Sequence, residues 1–549
     1  MTTRRCLPAL TLAAFALAAA PASATTFCVP TFHAGCPNNG TNIAQSSLET
    51  ALTTSGSDGV ADRVLIGSII VTDPDTLTAT GSDALEIVGS GPADTVLTSS
   101  DTTNAYAVNL AGRSGAQTVR DLRVVVPASF PDGLGSAMQA RKAALTNVDV
   151  EFRNPDSDGV SFVGGGSFSG GELYGAAGGT VGTGFRVNGA VAGPLTIADT
   201  TITAPSWGIA ANDPAVPVTV DRVTVTDPVA YGVYVGSGGT ASVHDSLFVS
   251  HSGFAFSVQS GPAGVSTLGA RNVTIVGIGA VPNAAVEAKV WNTIGHQDVH
   301  VNVSDSIIRG YPKSFNRTAT AFGVGIGDAY IDFDHTIVKP VGTEAGDGSV
   351  TYGTGVSDVD PLFANGAAGD YRLNAGSPAI DNADPVVAMS AGGLDRAGAP
   401  RQVDGDGNGS QQRDLGAYEY QPPAAPAGPG PAGGGSAPAG TAPPTTRAGD
   451  TVRPVLSGLR LTKAFTARKG GRVQLTLSEP ARVTLTFTTL ARGAKPRSVR
   501  RTFTARKGRN LLKIRAGAVK ARRYRLTAVG VDAAGNRSTT LTRRIALRR

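Results

Sequence analysis

The sequence predicts an all-β protein that contains a parallel β-helix, an irregular linker and a small β-sandwich. Three observations predict this fold class. Short segments rich in Val, Ile and Thr alternate with turns, and glycine is very frequent, at 71 of 549 residues, which is typical of short strands joined by tight turns. A short phrase recurs through the first part of the chain. A Pro/Gly/Ala-rich run then separates that part from a basic C-terminal region.

The first 24 residues have the pattern of a secretion signal. The basic segment "MTTRR" precedes the apolar run "LPALTLAAFALAAA" and a small-residue cleavage site at Ala22-Ser23-Ala24. The apolar run is too short to cross a bilayer, so we expect a secreted protein whose mature chain begins near Thr25. Outside the cytosol, the two remaining cysteines, Cys28 and Cys36, are expected to form a disulfide.

The best helical pattern is "SSLETALTTS", residues 46–55. It places Leu48 and Leu52 on one face, with Ile43 nearby. The open end of a stacked repeat exposes core residues and unpaired strand edges. We therefore expect this helix to cover the N-terminal end of the solenoid.

The recurring phrase has an apolar residue, any residue, Asp or Asn, two further residues and then Val, Ile or Phe. Its third positions are separated by 26, 52, 46, 27 and 33 residues. Weaker copies fall in the two long gaps, so the unit is about 23 to 33 residues, too short to bury an apolar face unless units stack. Three short strands in each unit predict a parallel β-helix. The third positions are Asp121, Asn147, Asp199, Asp245, Asn272 and Asp305.

These Asp and Asn residues are expected to have a structural role. They lie at predicted bends, where Asp and Asn tolerate unusual backbone angles and bond to neighbouring backbone groups. We favour this interpretation over a ligand-binding role for the column.

Residues 421–448 and 449–549 differ sharply in composition from the rest of the chain. Residues 421–448 are rich in Pro, Gly and Ala and cannot form a core, so they predict a disordered linker. Residues 449–549 contain seven short alternating segments, which predict a sandwich. The stretch "YRLTAVGVDAAGNRS" resembles the last hairpin of bacterial Ig-like and fibronectin type III-like domains.

The two parts of the chain carry opposite charge. Residues 449–549 contain 26 Lys/Arg and 3 Asp/Glu, whereas the other residues contain 22 Lys/Arg and 39 Asp/Glu. A dense positive face predicts binding to a polyanion of the cell envelope, weakened by salt. Aromatic residues are few there, so specific nucleic-acid binding is not expected. The alternative is that the arginines reflect only composition bias and solubility.

Two stretches resemble a known family. "DPLFANGAAGDYRLNAGSPAIDNAD" (360–384) and "LDRAGAPRQVDGDGNGSQQRDLGAYEY" (394–420) resemble the C-terminal signature of bacterial choice-of-anchor Q proteins, and the residues around "DRVLIGSIIV" resemble the entry module of the pectin-lyase-like superfamily. The resemblance implies a right-handed parallel β-helix over 25–420, with 360–420 as its closing segment, in a secreted protein. That superfamily contains lyases, hydrolases, epimerases and non-catalytic proteins, so it implies no particular reaction.

A possible calcium loop lies within the closing segment. Asp404, Asp406 and Asn408 alternate before a glycine, as oxygen ligands do in a loop that wraps a hard cation, and Asp414 is a fourth candidate. The other interpretation is a polar turn whose carboxylates only bond to backbone groups. In either case we expect a terminal clasp, followed by a last strand over "DLGAYEY". Calcium is the one cofactor that the sequence suggests.

One cluster of acidic and basic residues is the best catalytic candidate. "VEFRNPDSDG" brings together Asp149, Glu151, Arg153, Asp156 and Asp158. Pectate lyases pair carboxylates with an arginine, but such clusters are usually solvated surface. The leading hypothesis is therefore a non-catalytic, monomeric surface protein that binds polysaccharide. The rival is a polysaccharide lyase or glycoside hydrolase that acts on acidic glycans from this cluster.

Overall fold

A computed structural model describes most of the chain, residues 24–422 and 456–547. Within these ranges it leaves out 57, 101–105, 131–134, 155, 177–178, 190, 263, 291–295, 321–326, 387–392, 462–470, 478–480, 490–497, 507, 515–518, 521–522, 532–537 and 539–540. The predicted secretion signal and linker lie outside the described residues, except for Ala24, Gln421 and Pro422. The chain divides into two compact units, the first ending at Pro423 and the second beginning at Ala424. Among the described residues, no helix has the length and apolarity needed to cross a membrane.

The first unit consists almost entirely of short strands. The strands of its N-terminal half are β1 (Thr25–Val29), β2 (Ile43–Ala44), β3 (Asp62–Ile66), β4 (Ile69–Asp73), β5 (Leu77–Thr78), β6 (Leu85–Val88), β7 (Thr95–Ser99), β8 (Tyr106–Asn109), β9 (Gln117–Val126), β10 (Ser136–Ala140), β11 (Ala143–Phe152), β12 (Asp158–Val163), β13 (Gly166–Gly175), β14 (Val181–Asn188), β15 (Leu195–Thr203), β16 (Pro205–Ala211), β17 (Val218–Asp221) and β18 (Thr224–Thr226).

The remaining strands of this unit continue the same pattern. They are β19 (Tyr231–Val235), β20 (Thr240–His244), β21 (Leu247–Ser250), β22 (Phe254–Gln259), β23 (Ser266–Arg271), β24 (Thr274–Gly277), β25 (Ala284–Val290), β26 (Val299–Ser304), β27 (Ile307–Arg309), β28 (Lys313–Ala319), β29 (Ala329–Asp334), β30 (Gly342–Gly346), β31 (Gly348–Tyr352), β32 (Phe363–Asn365) and β33 (Asp370–Leu373). A short 3-10 helix spans Gly366–Ala368.

The strands form a parallel β-solenoid of about ten turns, which confirms the predicted fold class. Each turn of the solenoid, called a coil below, contributes to two sheets. The eleven-stranded sheet contains β5, β8, β10, β12, β14, β16, β19, β22, β25, β28 and β30, and a bent twenty-stranded sheet contains the other strands from β1 to β31. Inward-facing Val, Ile, Leu and Phe side chains stack along the axis as one continuous core.

The predicted bends coincide with the third positions of the repeated phrase. All six of these residues have a left-handed backbone, with φ between 50° and 60°. Gly170 (φ 64°) and Arg222 (φ 50°) occupy the two long gaps. This backbone conformation suits Gly, Asn and Asp better than other residues, which explains why the phrase favours Asp and Asn at this position, although Arg222 also adopts it.

The N-terminal end has the predicted helix. Helix α1 (Leu48–Thr54) begins after Ser47, whose hydroxyl accepts a hydrogen bond from the Thr50 N–H, and it buries Leu48 and Leu52 against the core. Ile43 does not join that face. It lies in β2 and is 42% exposed, because the chain pairs with β1 before the helix starts. The sulfur atoms of Cys28 and Cys36 are bonded to each other.

The closing segment, residues 360–420, packs along the outer side of the twenty-stranded sheet rather than over the last coil. Its Tyr371, Leu373 and Leu415 bury outward-facing apolar residues of β21, β24 and β27. The prediction of a last strand over "DLGAYEY" is wrong. Residues 415–417 bend instead, and Gly416 (φ 89°) lies so close to the sheet that a Cβ there would be 2.7 Å from Thr274 Oγ1.

The second unit contains all seven predicted strands. They are β34 (Leu456–Leu461), β35 (Gly471–Leu477), β36 (Ala481–Thr489), β37 (Ser498–Ala505), β38 (Gly508–Ile514), β39 (Arg523–Val531) and β40 (Leu541–Ala546). They form a three-stranded sheet, β34-β35-β38, and a four-stranded antiparallel sheet, β37-β36-β39-β40. A shared core around Phe487 and Leu526 is consistent with a β-sandwich.

Candidate functional site

The structure assembles only part of the predicted catalytic cluster. Asp149 and Glu151 both face outward from β11. The Glu151 carboxylate accepts hydrogen bonds from Arg123 (3.0 Å) and Arg153 (2.9 Å), and Arg123 also donates to the Tyr174 hydroxyl (3.2 Å). Both oxygens of Glu151 are therefore engaged by guanidinium groups, one from Arg123 and one from Arg153.

The other members of that cluster do not meet at one point. Asp149 accepts a hydrogen bond from the Glu172 N–H (3.0 Å), and burial raises its pKa. Asp156 is exposed in the turn that follows β11. Asp158 begins β12 in the eleven-stranded sheet, where it pairs with Arg186. The stretch "VEFRNPDSDG" that suggested a cluster spans the change from β11 to β12, so its residues are divided between two sheets.

A different group of residues occupies the outer face of the eleven-stranded sheet. Trp207, Tyr231 and Phe254 are in register on β16, β19 and β22, and each is half-buried. The ring centroids of Trp207 and Tyr231 are 5.4 Å apart, and those of Tyr231 and Phe254 are 5.9 Å apart. We call these three residues the aromatic row. It runs along the solenoid axis, because residues in register lie on successive coils.

A second row lies beside the first on the same face. Tyr234, Ser257, Glu287 and Asn316 are in register on β19, β22, β25 and β28, and we call them the polar row. The ring of Tyr234 packs against that of Trp207 with centroids 4.6 Å apart. The two rows are therefore in direct contact at one end.

The carboxylate of Glu287 is fixed within the polar row. It accepts hydrogen bonds from Ser257 Oγ (2.7 Å), Gln259 Nε2 (3.2 Å) and Asn316 Nδ2 (3.2 Å), and the residue is only 7% exposed. Burial and then the charge of Glu287 raise the pKa of Tyr231. Its negative charge thus reaches the aromatic row. Both Glu287 oxygens are bonded to neutral donors, so it is a fixed acceptor.

Apolar rings beside fixed polar groups are suited to a ligand with an apolar face and a hydroxyl-rich edge. Binding sites typically combine aromatic side chains with a few placed polar groups in this way. Sugars have this amphipathic character. The arrangement can orient such a ligand through contacts with ring surfaces and hydrogen bonds.

Reasoning from the sequence missed both rows. In "YGVYVGSGG", Val233 and Val235 face inward, whereas Tyr231 and Tyr234 are the outward-facing residues that contribute to the two rows. The available signal was an aromatic residue at the outward position of consecutive repeats, in "SWGIAA", "YGVYV" and "FAFSV". This signal becomes visible when the repeats are aligned by their inward-facing apolar residues. The recurring phrase aligns them by the Asp or Asn at the bend instead.

The structure groups the acidic residues of the predicted calcium loop differently from the sequence pattern. Asp404 and Asp406 lie with Asp381, and one oxygen of each is within 4.8 Å of the others. Asp404 Oδ1 and Asp381 Oδ1 are buried without a hydrogen-bond partner. Unpartnered buried carboxylate oxygens are costly without a cation, and three carboxylates suit a hard cation such as calcium. Asn408 lies in the same loop, and its amide donates to Asp406 Oδ2 (2.7 Å).

Asp414 does not belong to this group. It is fully buried, and its two oxygens accept hydrogen bonds from the backbone N–H groups of Asp381 and Tyr420. Burial raises its pKa to about 7. Its position in the loop pattern had suggested a metal ligand, but the chain turns inward after Arg413 and uses this carboxylate to bind backbone.

Side chains of the second unit carry positive charge at its surface. Among the described side chains, eight basic residues are exposed. They are Arg472, Arg482, Arg501, Arg506, Lys513, Lys520, Arg525 and Arg543.

No protein-family model matches the chain, and no curated protein matches it either. Solved structures with similarity include an alginate lyase from Paenibacillus sp. str. FPU-7, at 13% identity and TM-score 0.33, covering 56% of this chain and 96% of that one. The A-module of mannuronan C-5 epimerase AlgE6 from Azotobacter vinelandii has 12% identity and TM-score 0.36, covering 58% and 94%.

The catalytic domain of a GH87 alpha-1,3-glucanase in complex with nigerose is also similar, at 14% identity and TM-score 0.32. The match covers 57% of this chain and 66% of that one. At such identities and TM-scores, these similarities carry no argument about what this chain binds or does.

Proposed function

We propose that this chain is a secreted, non-catalytic protein that binds polysaccharide on the outer face of the eleven-stranded sheet. The observation that carries the proposal is the aromatic row beside the polar row. The half-buried rings in register would supply apolar contacts to a sugar chain, and the partly exposed Tyr234 and Asn316 of the polar row would supply hydrogen bonds. Catalysis from the Asp149–Asp158 cluster has less support, because its members are divided between two faces and Glu151 is paired with arginines.

The basic second unit is proposed to hold the protein to an anionic envelope polymer. Residues 449–549 contain 26 Lys/Arg and 3 Asp/Glu, and the described basic side chains at its surface include Arg482 and Arg525 on adjacent strands. Such a surface binds polyanions through charge, so binding should weaken as salt rises. The bonded Cys28–Cys36 pair supports an oxidising compartment.

Calcium is proposed to bind Asp381, Asp404 and Asp406 in a structural role. The two buried oxygens without partners support this site. Since it lies in the closing segment, bound calcium would stabilise the packing of that segment against the solenoid and would not take part in binding polysaccharide.

The test is a panel of neutral and acidic polysaccharides incubated with the purified mature protein. We expect pull-down without new reducing or unsaturated ends, and we expect Trp207→Ala with Tyr231→Ala to abolish retention on the bound polymer. Tyr174→Ala, on the other sheet, is the matched control and should retain it. Release of new ends would overturn the non-catalytic proposal, and absence of binding to every polymer would overturn polysaccharide binding.

A further inference from the structure

The two rows on the eleven-stranded sheet both extend along the solenoid axis. Residues in register on successive parallel strands are about 4.8 Å apart along the axis. The aromatic row covers three successive strands, β16, β19 and β22. The polar row starts on β19 and continues through β22 and β25 to β28. Together the rows form a strip that extends along the axis and is narrow across it.

The spacing of the strip matches a repeating ligand. One pyranose in an extended chain is about as long as the rise of one coil, so successive sugars can meet equivalent positions on successive coils. Sugars over β16, β19 and β22 would contact the aromatic row. Sugars beside the polar row would meet its partly exposed members, Tyr234 and Asn316. A branched or compact sugar would contact only one or two rungs of the strip.

The charges of the strip nearly cancel. The aromatic row has no charged member, and Glu287 is the one charged residue of the polar row. Lys289, the next outward-facing residue of β25, carries the opposite charge and is half-buried. The strip therefore lacks the excess positive charge that would favour a polyanion. That excess is found in residues 449–549.

We propose that the strip takes an extended, unbranched and uncharged chain of pyranoses that lies parallel to the solenoid axis. This inference rests on the proposed function and specifies its ligand class. The two units then bind different polymers. The solenoid binds a neutral glycan through apolar contacts and hydrogen bonds, and the basic unit binds a polyanion through electrostatic attraction.

The experiment measures the affinity of the full mature chain by calorimetry. The probes are cellohexaose, mannohexaose and xylohexaose with their disaccharides, laminarihexaose as a curved neutral chain, and hexagalacturonate as an anionic chain. We expect at least one extended neutral hexasaccharide to bind about tenfold or more tightly than its disaccharide, since each coil adds contacts. Raising the salt concentration should leave its affinity unchanged, because no net charge is neutralised.

Variants locate the ligand on the strip. Trp207→Ala and Phe254→Ala, at the two ends of the aromatic row, should each weaken binding of the hexasaccharide about tenfold, whereas Trp207→Phe should retain most of it. Tyr106→Ala is the matched control, because Tyr106 is an aromatic residue on β8, far from the strip and next to the terminal strand of the same sheet, and should leave binding unchanged. Melting temperatures of all variants exclude misfolding as the cause.

Two results would overturn the inference while leaving polysaccharide binding intact. One is a disaccharide that binds as tightly as its hexasaccharide. The other is a preference for hexagalacturonate over every neutral chain that is lost in Trp207→Ala. If no polysaccharide is retained in the panel described above, the proposed function fails and this inference fails with it.

Discussion

The outer sides of the two solenoid sheets differ in how far their apolar side chains are covered. Outward-facing Leu247, Val249 and Val276 of the twenty-stranded sheet are covered by the closing segment. Outward-facing rings of the eleven-stranded sheet remain half-buried on their own face. Both faces carry apolar side chains outside the core, and within the described residues the closing segment covers those of the twenty-stranded sheet. Apolar groups left partly exposed in register are the ones available to a ligand.

The covered side is also distinguished by buried charge. Arg401 of the closing segment is bonded to Asp245 (2.8 Å), and Arg413 is bonded to Asn272 (2.8 Å) and Asp305 (3.2 Å). These partners are three residues of the bend column. Their structural role at the bend is as predicted, but they also bind the closing segment, which the sequence analysis did not foresee.

The largest expected effect comes from removing Arg401. Arg401→Ala breaks the buried ion pair between Arg401 and Asp245, and breaking a buried pair by removing one member typically costs about 3–5 kcal/mol of unfolding free energy. The matched control is Arg372→Ala, which removes an exposed pair with Asp370 and should cost less than about 1 kcal/mol. Denaturant unfolding measures both. Equal small losses would show that the closing segment is not held by its buried charge.

The next largest effect concerns calcium. Calcium at a hundredfold excess over its Kd should increase the unfolding free energy of the wild type by about 2.7 kcal/mol. The melting temperature should rise accordingly. Asp404→Ala with Asp406→Ala should lower the melting temperature, remove the response to calcium and leave polysaccharide binding unchanged. Asp328→Asn, in another acidic cluster of the described residues, is the control that should keep the response. A double variant that still responds to calcium would place the ion elsewhere.

The pH dependence of stability should come next. Burial raises the pKa of Asp414 to about 7 and that of Glu419 to about 9. Folded carboxyls with raised pKa bind protons that the unfolded chain has already lost. The stability that these two carboxyls contribute is therefore fully present below the ordinary carboxyl pKa, and it is lost as the pH rises toward 9. Thermal melts across this range should show the decline, and Glu419→Gln should reduce it. A melting temperature that rises over the same range would contradict the assignment.

The smallest effect is expected at an uncovered bend. Asn147→Gly should change the unfolding free energy by less than about 1 kcal/mol, because glycine adopts the left-handed conformation readily. Asp305→Gly keeps the same backbone but removes the partner of Arg413, so it should cost several times more. Chemical denaturation of the two variants compares a bend alone with a bend that also binds the closing segment.

Local features of the fold were predictable from the sequence. The bend at Asp199 or Asp305 depends on one residue and its neighbours, so a short phrase reveals it. Ser47 likewise identifies the helix start through its own side chain. The Arg401–Asp245 pair could not be predicted in this way, because it joins residues 156 positions apart and no local period links them.

The candidate site depends on alignment between coils. The register of Trp207 with Tyr231 depends on the number of residues in the coil that joins β16 to β19. Alternating apolar and polar residues identify the outward-facing positions of a strand. They do not identify which outward-facing residues of successive coils lie in register. The candidate cluster from Asp149 to Asp158 shows the converse, because residues close in sequence lie on two different strands separated by a turn.

The most direct test of the central claim is hydrogen–deuterium exchange of the full mature chain with and without the bound polysaccharide. The account predicts slower exchange in peptides that contain residues 205–211, 231–235 and 254–259, and no change in residues 394–420 or 143–175. Slower exchange confined to residues 143–175 would contradict it and would place the ligand at the carboxylate cluster on the other sheet.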